Sequence, residues 1–402
     1  MIKFLTTSFG EIGEGEGDTS YKSYESDYIA KYRDAVTNIA RGREWKNSGR
    51  GAEFTRRVEH EYEDMSGSVN GVCAYIDGSC LYSARAGQVS GIIIKDLASG
   101  EENYLIHSNS QIFGSLEYNS EAKSILSSVS TGGVASDIAV YNVSTNDLRA
   151  ITVGDSVDEF PSYSKTSGEI LYSSRGVGRD AGMQVVDFSD SEIMSIRKNG
   201  NIDVLLSEQG YDLLAPKDDS RGNLYYLRKP SKRVKQEKGV LRILLDILLL
   251  PFWLFYGLVR LLVFFASLSK NKNKKDKKND VFSTSGGVNP ALNRGEENSK
   301  LQIYGEEIDI APKKNKKKDD DDGFAPEHFE LWRRKPDGSK EKLKSGVLSF
   351  DVNATGDIIF TNGKSVVFRP ADGAEQKLCR RSAVINAKFN QLTEFAEAES
   401  PF

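Results

Sequence analysis

Residues 158–180 read DEFPSYSKTSGEILYSSRGVGRD. An aromatic-rich run ending at Tyr163 meets a polar turn closed by Gly168; a second apolar run, Ile170 to Tyr172, leads into Ser173, Ser174, Arg175 and Gly176. Short apolar runs bounded by Ser, Lys, Thr and Gly predict paired β-strands, because a surface helix would space its apolar residues three and four apart. The outline recurs. From Val69 it reads VNGVCAYIDGSCLYSARAGQVSGIIIKDLASGEENYLI, from Phe113 FGSLEYNSEAKSILSSVSTGGVASDIAVYNVSTNDLRAIT, and from Val347 VLSFDVNATGDIIFTNGKSVVFRPADGAEQKL. The spacing is close to the ~40–45 residues of one four-stranded propeller blade.

A further copy starts at Tyr211 with YDLLAPKDDSRGNLYYLRKP, halts, and resumes at Phe329 with FELWRRKPDGSKEKLKS. With residues 231–326 and 18–50 set aside, the chain divides into six units of about 45 residues. The expected fold class is therefore all-β: a single β-propeller, six blades of four antiparallel strands, with five or seven blades as the alternatives because two copies are degenerate. Strands at 383–389 and 392–396 would form half a blade, completed by strands around 2–9 and 52–58, since ring closure removes exposed sheet edges. Tyr28, Ile29, Tyr32, Val36, Ile39 and Ala40 fall at helical spacing behind Ser26, a suitable N-cap, which predicts one short helix over 26–46. The expected organisation is a first propeller part at 1–230, an insertion at 231–326 and a last propeller part at 327–402.

The phrase at 158–180 resembles the WD40-like repeat of TolB-type β-propellers. That pattern has a proline before a strand, an aromatic, Ser, a Gly-containing turn, an apolar strand, then Ser and Arg-Gly; here Pro161, Tyr163, Ser164, Gly168, Ile170 to Tyr172, Ser173, Ser174, Arg175 and Gly176 occupy those places. The usual Pro-Asp-Gly turn is replaced by Lys165, Thr166, Ser167 and Gly168. The resemblance implies a platform whose central mouth or blade face binds another macromolecule. The export signal and N-terminal α/β domain of TolB itself are not visible.

The insertion is chemically unlike everything around it. Residues 240–268, VLRILLDILLLPFWLFYGLVRLLVFFASL, are apolar over a greater length than the roughly 20 residues that cross a bilayer. Lys232, Arg233, Lys235 and Lys238 precede them; Lys270, Lys272, Lys274, Lys275, Lys277 and Lys278 follow. Basic residues favour the cytoplasmic face and its anionic headgroups, so basic flanks at both ends suit a segment that enters and returns. Pro251 divides the run into helices of ~16 and ~25 Å. Arg242 and Asp246, and Tyr256 and Arg260, lie four apart and share one helical stripe, while Leu241, Trp253 and Phe264 belong to the apolar remainder and Trp253 and Tyr256 suit the headgroup boundary. The competing readings are a conventional transmembrane helix and a buried core helix; the lysine tracts favour a monotopic anchor whose headgroup contacts are Lys232, Arg233, Lys235, Lys238, Lys270, Lys272, Lys274 and Lys275. If strands on either side of the insertion share a blade, an odd number of crossings is forbidden. Residues 269–326, with lysines at 313, 314 and 316–318 and aspartates at 319–322, read as a charged, largely disordered linker with a short strand at 301–310.

Catalytic constellations are scarce. With 402 residues, 38% hydrophobic, 28% charged and a net charge of −4, the composition is that of a folded protein with no general affinity for nucleic acid. The start, MIKFLTTSFGEIGEGEG, lacks a long apolar run and predicts a cytosolic start. Its Gly10, Gly13, Gly15 and Gly17 alternate with acids that repel phosphate, and read as an acidic flexible loop. Cys73, Cys80 and Cys379 lack metal-ligand spacing and predict free buried thiols; His60, His107 and His328 stand in no zinc motif. There is no GxSxG elbow and no Walker A loop. Arg85, Arg175, Arg221 and Arg228 follow or end second strands, either lining one face of the disc or bridging blades; Trp332 and Trp45 read as core.

These readings predict a bacterial, membrane-associated propeller on the cytoplasmic side, a non-catalytic scaffold needing no cofactor or metal. Its expected partners are anionic inner-leaflet lipid and a protein on the propeller face, with no small-molecule substrate and no nucleic acid. Two other readings stand beside it: a propeller hydrolase or lyase using Asp155, Asp158 and Asp180 in the central channel, and an exported envelope propeller with a single transmembrane anchor.

Overall fold

The computed structural model describes residues 2–17, 20–47, 67–231, 300–310 and 323–392. Its strands form six antiparallel sheets around one axis, each a meander running outward from the centre, plus a separate hairpin. Blade 1 is Asn386–Phe389, Lys3–Ser8, Glu11–Glu16 and Ser20–Glu25, from the axis outward. Blade 2 is Gly67–Ala74, Ser79–Ala86, Val89–Asp96 and Glu102–Ser108; blade 3 is Ile112–Asn119, Ser124–Ser130, Asp137–Asn142 and Asp147–Ala150. Blade 4 is Ser156–Tyr163, Ile170–Arg179, Glu192–Ile196 and Ile202–Leu206, with Val185–Phe188 hung on its long second strand. Blade 5 is Tyr211–Asp218, Leu224–Pro230, Glu330–Arg334 and Lys340–Ser345; blade 6 is Ser349–Val352, Ile358–Thr361, Ser365–Arg369 and Gln376–Arg380.

Burial explains the sequence pattern. Strands near the axis touch neighbouring blades on both faces and are buried almost throughout, as in Ser124–Ser130, the second strand of blade 3, whereas outermost strands such as Asp147–Ala150 are mostly exposed. The apolar side chains gather into six clusters, one at each blade-to-blade interface. Leu81, Ile92, Phe113 and Ile125 join blades 2 and 3; Leu171, Ile193, Leu213 and Tyr226 join 4 and 5; Phe4, Ile359, Val366 and Phe389 join 6 and 1. Each such side chain contributes about 1.5–3 kcal/mol when fully buried, so every seam holds the ring, the largest cluster lying between blades 5 and 6 and the smallest on either side of blade 4.

The inner strands of blades 2 to 5 each carry a bulge, at Val69/Gly71, Phe113/Leu116, Glu159/Ser162 and Leu214/Lys217. A bulge bends its strand and re-aims side chains. At two of them a non-glycine residue takes the left-handed region, Phe160 with φ 54° and Ala215 with φ 53°, each followed by a proline, Pro161 and Pro216. Gly71 is required by close approach: a Cβ there would lie 2.8 Å from the Gly114 carbonyl of blade 3.

Ring closure joins the two ends of the described chain, with Phe4 opposite Phe389 and Thr7 opposite Asn386. The expected closure holds, but its composition differs. Residues 11–16, read as a flexible loop, form a strand in register with Lys3–Ser8, and the third N-terminal strand is Ser20–Glu25. Gly15 is there because the Phe4 ring occupies the space its Cβ would need. The strand expected at 52–58 lies outside the described residues, as do 393–396, and Leu392 is not in a strand.

The helix is found at Asp27–Asn47. Ser26 caps it, its Oγ accepting the Ile29 amide at 3.3 Å, and Tyr28 and Ile29 pack against blade 2, while Ile39 is 49% exposed. Arg228 pairs with Glu330 across adjacent strands of blade 5, so the chain leaves the sheet before residue 232 and rejoins it afterwards. The hydrophobic helical part of the expected fold, 240–268, and its flanks lie outside the described residues. Among the described residues no helix is long and apolar enough to cross a membrane.

Candidate functional site

The inner strands enclose a channel along the ring axis, and its contents differ sharply along its length. At the mouth where second strands end, the channel is stopped by residues 300–310. Lys300–Ile303 and Glu306–Asp309 form an antiparallel hairpin turned by two residues, Tyr304 and Gly305, both with positive φ (50° and 74°). A two-residue turn with both φ positive matches strand twist, but it normally uses Asn or Gly at the first position. Tyrosine is held there by its surroundings. Its hydroxyl donates to the Leu348 carbonyl at 2.8 Å, and its ring lies 5.5 Å from Phe160 and 5.7 Å from Phe329. Leu301, Ile303 and Ile308 are buried in the same cluster, which joins blades 5 and 6. Burial pushes the Tyr304 phenol well above its ordinary value. The short strand expected in a linker is thus a hairpin packed into the ring.

An ionic network ties the hairpin down: Glu306 lies 3.4 Å from Lys229 and 2.9 Å from His328, and Lys229 lies 2.9 Å from Asp212. Beneath Tyr304 a cavity of about 50 Å³ is lined by Asn70, Ser115, Phe160, Lys217 and Asn386.

At the other mouth, where first strands end, the lining is charged. Lys217 pairs with Glu117 of blade 3 and lies 3.6 Å from Asp351 of blade 6; Lys388 of blade 1 lies 3.7 Å from Asp351. With Lys165 and Gln391 these groups surround a cavity of about 30 Å³. Burial disfavours the Lys217 charge, but Glu117 and Asp351 outweigh it and raise its pKa. Burial likewise pushes Asp351 up, and the charges of Lys388, Lys217 and Lys165 overcome this to hold it below the ordinary 3.8. Lys388 goes the other way: burial lowers it, and Asp351 does not fully compensate beside the like charge of Lys217. Cys73, also on this lining, is pushed up to about 12 by burial and is no nucleophile.

A larger concavity, about 260 Å³, lies between blades 3 and 4 among Asn119, Asn142, Arg149, Tyr163, Arg197 and Lys198. Arg197 is engaged by Asp203 at 2.6 Å.

The sequence-derived candidates fare unevenly. Leu241, Arg242, Asp246, Pro251, Trp253, Tyr256, Arg260 and Phe264, with the lysines and Arg233 of both flanks, lie outside the described residues. Asp155, Asp158 and Asp180 do not converge: Asp155 is an exposed partner of Arg179, Asp158 accepts from Ser174 Oγ at 2.6 Å, and Asp180 accepts the Gly182 amide in a turn. Among the described residues no group of three or more His, Cys, Asp or Glu is placed to hold a metal. Arg85, Arg175 and Arg228 share the hairpin face, but Arg221 lies in the turn between the first two strands of blade 5, at the opposite face, and leaves that set. Arg228 bridges blades, 2.6 Å from Glu208 and stacked 3.3 Å from the Tyr211 ring. Cys73 and Cys80 are free and buried; Cys379 is free and only half-buried. Trp332 packs on the cluster between blades 4 and 5. Sequence reasoning missed Lys217, Lys388, Glu117 and Asp351; the available signal was a charged residue towards the end of each of four largely buried inner strands.

No family model and no curated protein matches the chain. Solved structures similar to it include the nidogen/laminin complex (9% identity, 98% of this chain and 100% of that one, TM-score 0.49). TolB from Acinetobacter baumannii is similar over 97% of this chain and 66% of its own (10% identity, TM-score 0.48), and the β-propeller domain of the Trilobed protease from Pyrococcus furiosus over 94% and 98% (12% identity, TM-score 0.35). The chain is a six-bladed β-propeller, in keeping with the TolB-like repeat its sequence carries.

Proposed function

We propose that the protein is a membrane-tethered propeller that serves as a non-catalytic binding scaffold, with residues 240–268 as a re-entrant anchor and the ring held at the cytoplasmic face. The observation that carries this is the Arg228–Glu330 pairing. A chain that leaves and rejoins one sheet brings both basic flanks back to the same side of any bilayer it enters. An apolar hairpin and two lysine tracts supply the two signals that stable attachment requires. The engagement of Glu117 and Asp351 by lysines supports binding over proton-transfer chemistry.

Flotation with sealed vesicles tests the tether. The full chain should float with vesicles containing anionic lipid and stay with them in high salt, and a variant lacking 240–268 should remain in the soluble fraction. External protease should cut both lysine flanks equally; cutting of one flank alone would mean a single crossing and end the proposal.

A further inference from the structure

Among the described residues Tyr304 stops one mouth of the channel, and at the other, where the first strands end, the chemistry is specific. Three ammonium groups, from Lys165, Lys217 and Lys388, line its cavity of about 30 Å³ against two carboxylates, Glu117 and Asp351. Asp218 is close in sequence but directed elsewhere, accepting from Ser164 Oγ at 2.5 Å and from the Lys165 and Thr166 amides at 2.7 and 3.3 Å. Lys217 serves both cavity carboxylates, and Lys388 shares Asp351 with it. That leaves Lys165. It is 4% exposed, it borders the cavity, and among the described residues its ammonium has neither a hydrogen-bond partner nor an ion pair. Asp351 acts on it only at longer range, as a charge already shared with Lys217 and Lys388. A buried ammonium without a direct partner is costly, and proteins that keep one usually place an anion against it.

We propose that this mouth is a carboxylate-binding site, in which one –COO⁻ group bridges Lys165 and Lys388 and Gln391 Nε2 donates beside them. The excess of one positive charge matches a monovalent anion. The small cavity admits a carboxylate head while its remainder points outward, and the neighbouring Glu117 and Asp351 repel a dianion such as phosphate. The site does not depend on the membrane tether. The carboxylate has two possible sources, a free small acid or the carboxyl terminus of a protein chain.

Calorimetry and thermal melting of the full chain at fixed ionic strength separate them. Acetate, a short N-acetylated peptide ending in a free carboxylate, and the same peptide as its C-terminal amide are the probes, with chloride and phosphate as controls. Saturable binding of acetate and of the peptide acid, with none of the amide, supports the site. Tighter binding of the peptide acid than of acetate assigns it to chain termini, and the reverse order to free acids. Lys165→Gln and Lys388→Met should each weaken binding by about tenfold or more, the scale of one charge-assisted hydrogen bond. Should a variant fail to fold, mass-spectrometric acylation of the native chain serves instead: acetate should slow Lys165 modification several-fold while leaving exposed Lys198 unchanged. Chloride or phosphate binding as well as carboxylate, a response that never saturates, or unaltered Lys165 acylation would overturn the proposal.

Discussion

Lys217 reaches from blade 5 to carboxylates of blades 3 and 6, so one side chain spans half the ring. Removing one member of a buried ionic set strands the others without a counter-charge, which is where the large penalties arise. Lys217→Met should therefore cost about 3–5 kcal/mol, read by urea unfolding. Lys388→Met should cost under about 1 kcal/mol or stabilise, because the Lys388 charge is disfavoured by its burial and by Lys217. Equal losses in the two variants would contradict this account. Asp351, held below its ordinary 3.8, contributes stability that is complete above that value and is lost as pH falls through its lower folded value. An Asp351→Asn variant should thus show a shallower acid limb than the parent in denaturation series from about pH 5 downward. The charges themselves were visible in the sequence, but their convergence was not. The bulge between Leu214 and Lys217 sets two residues against one, and a single extra residue reverses which face each later side chain takes.

At the scale of elements, the hairpin at 300–310 belongs to no blade sheet and packs into the ring through Leu301, Ile303, Tyr304 and Ile308. Tyr304→Ala removes its hydrogen bond to Leu348 and its packing between Phe160 and Phe329. A short unit outside the blade ladders, once its central side chain is removed, can open by itself, so the hairpin should become cleavable by protease while the melting of the ring moves little. A large drop in global stability would mean that it is instead part of the ring's cooperative unit. The strand at 301–310 was legible from its alternating LQIYGEEIDI, and the helix from its 3.6-residue spacing and cap. What the hairpin packs against was not, since plugging a channel requires the channel first. Residues 11–16 illustrate the opposite failure: glycines read as flexibility, although across the sheet Gly15 makes room for Phe4 and Gly13 for Tyr21.

For the whole molecule, closure rests on four residues, Asn386–Phe389, which form the innermost strand of blade 1. A chain ending at Arg380 should lose the seam between blades 6 and 1 and unfold over a broad transition, whereas one ending at Leu392 should melt as sharply as the full chain; calorimetry distinguishes them. If both melt alike, the ring does not need this strand. The sequence alone determined the blade repeat and the place of the insertion between the second and third strands of one blade, because strand alternation and turn chemistry are local and repeat at a constant period. Its period fitted six blades but left five or seven open, and the sheet topology decided six. Only the tertiary structure decided that the channel is stopped at one mouth and cationic at the other, because those properties arise where six strands distant in sequence meet, and bulges set which side chains face the axis.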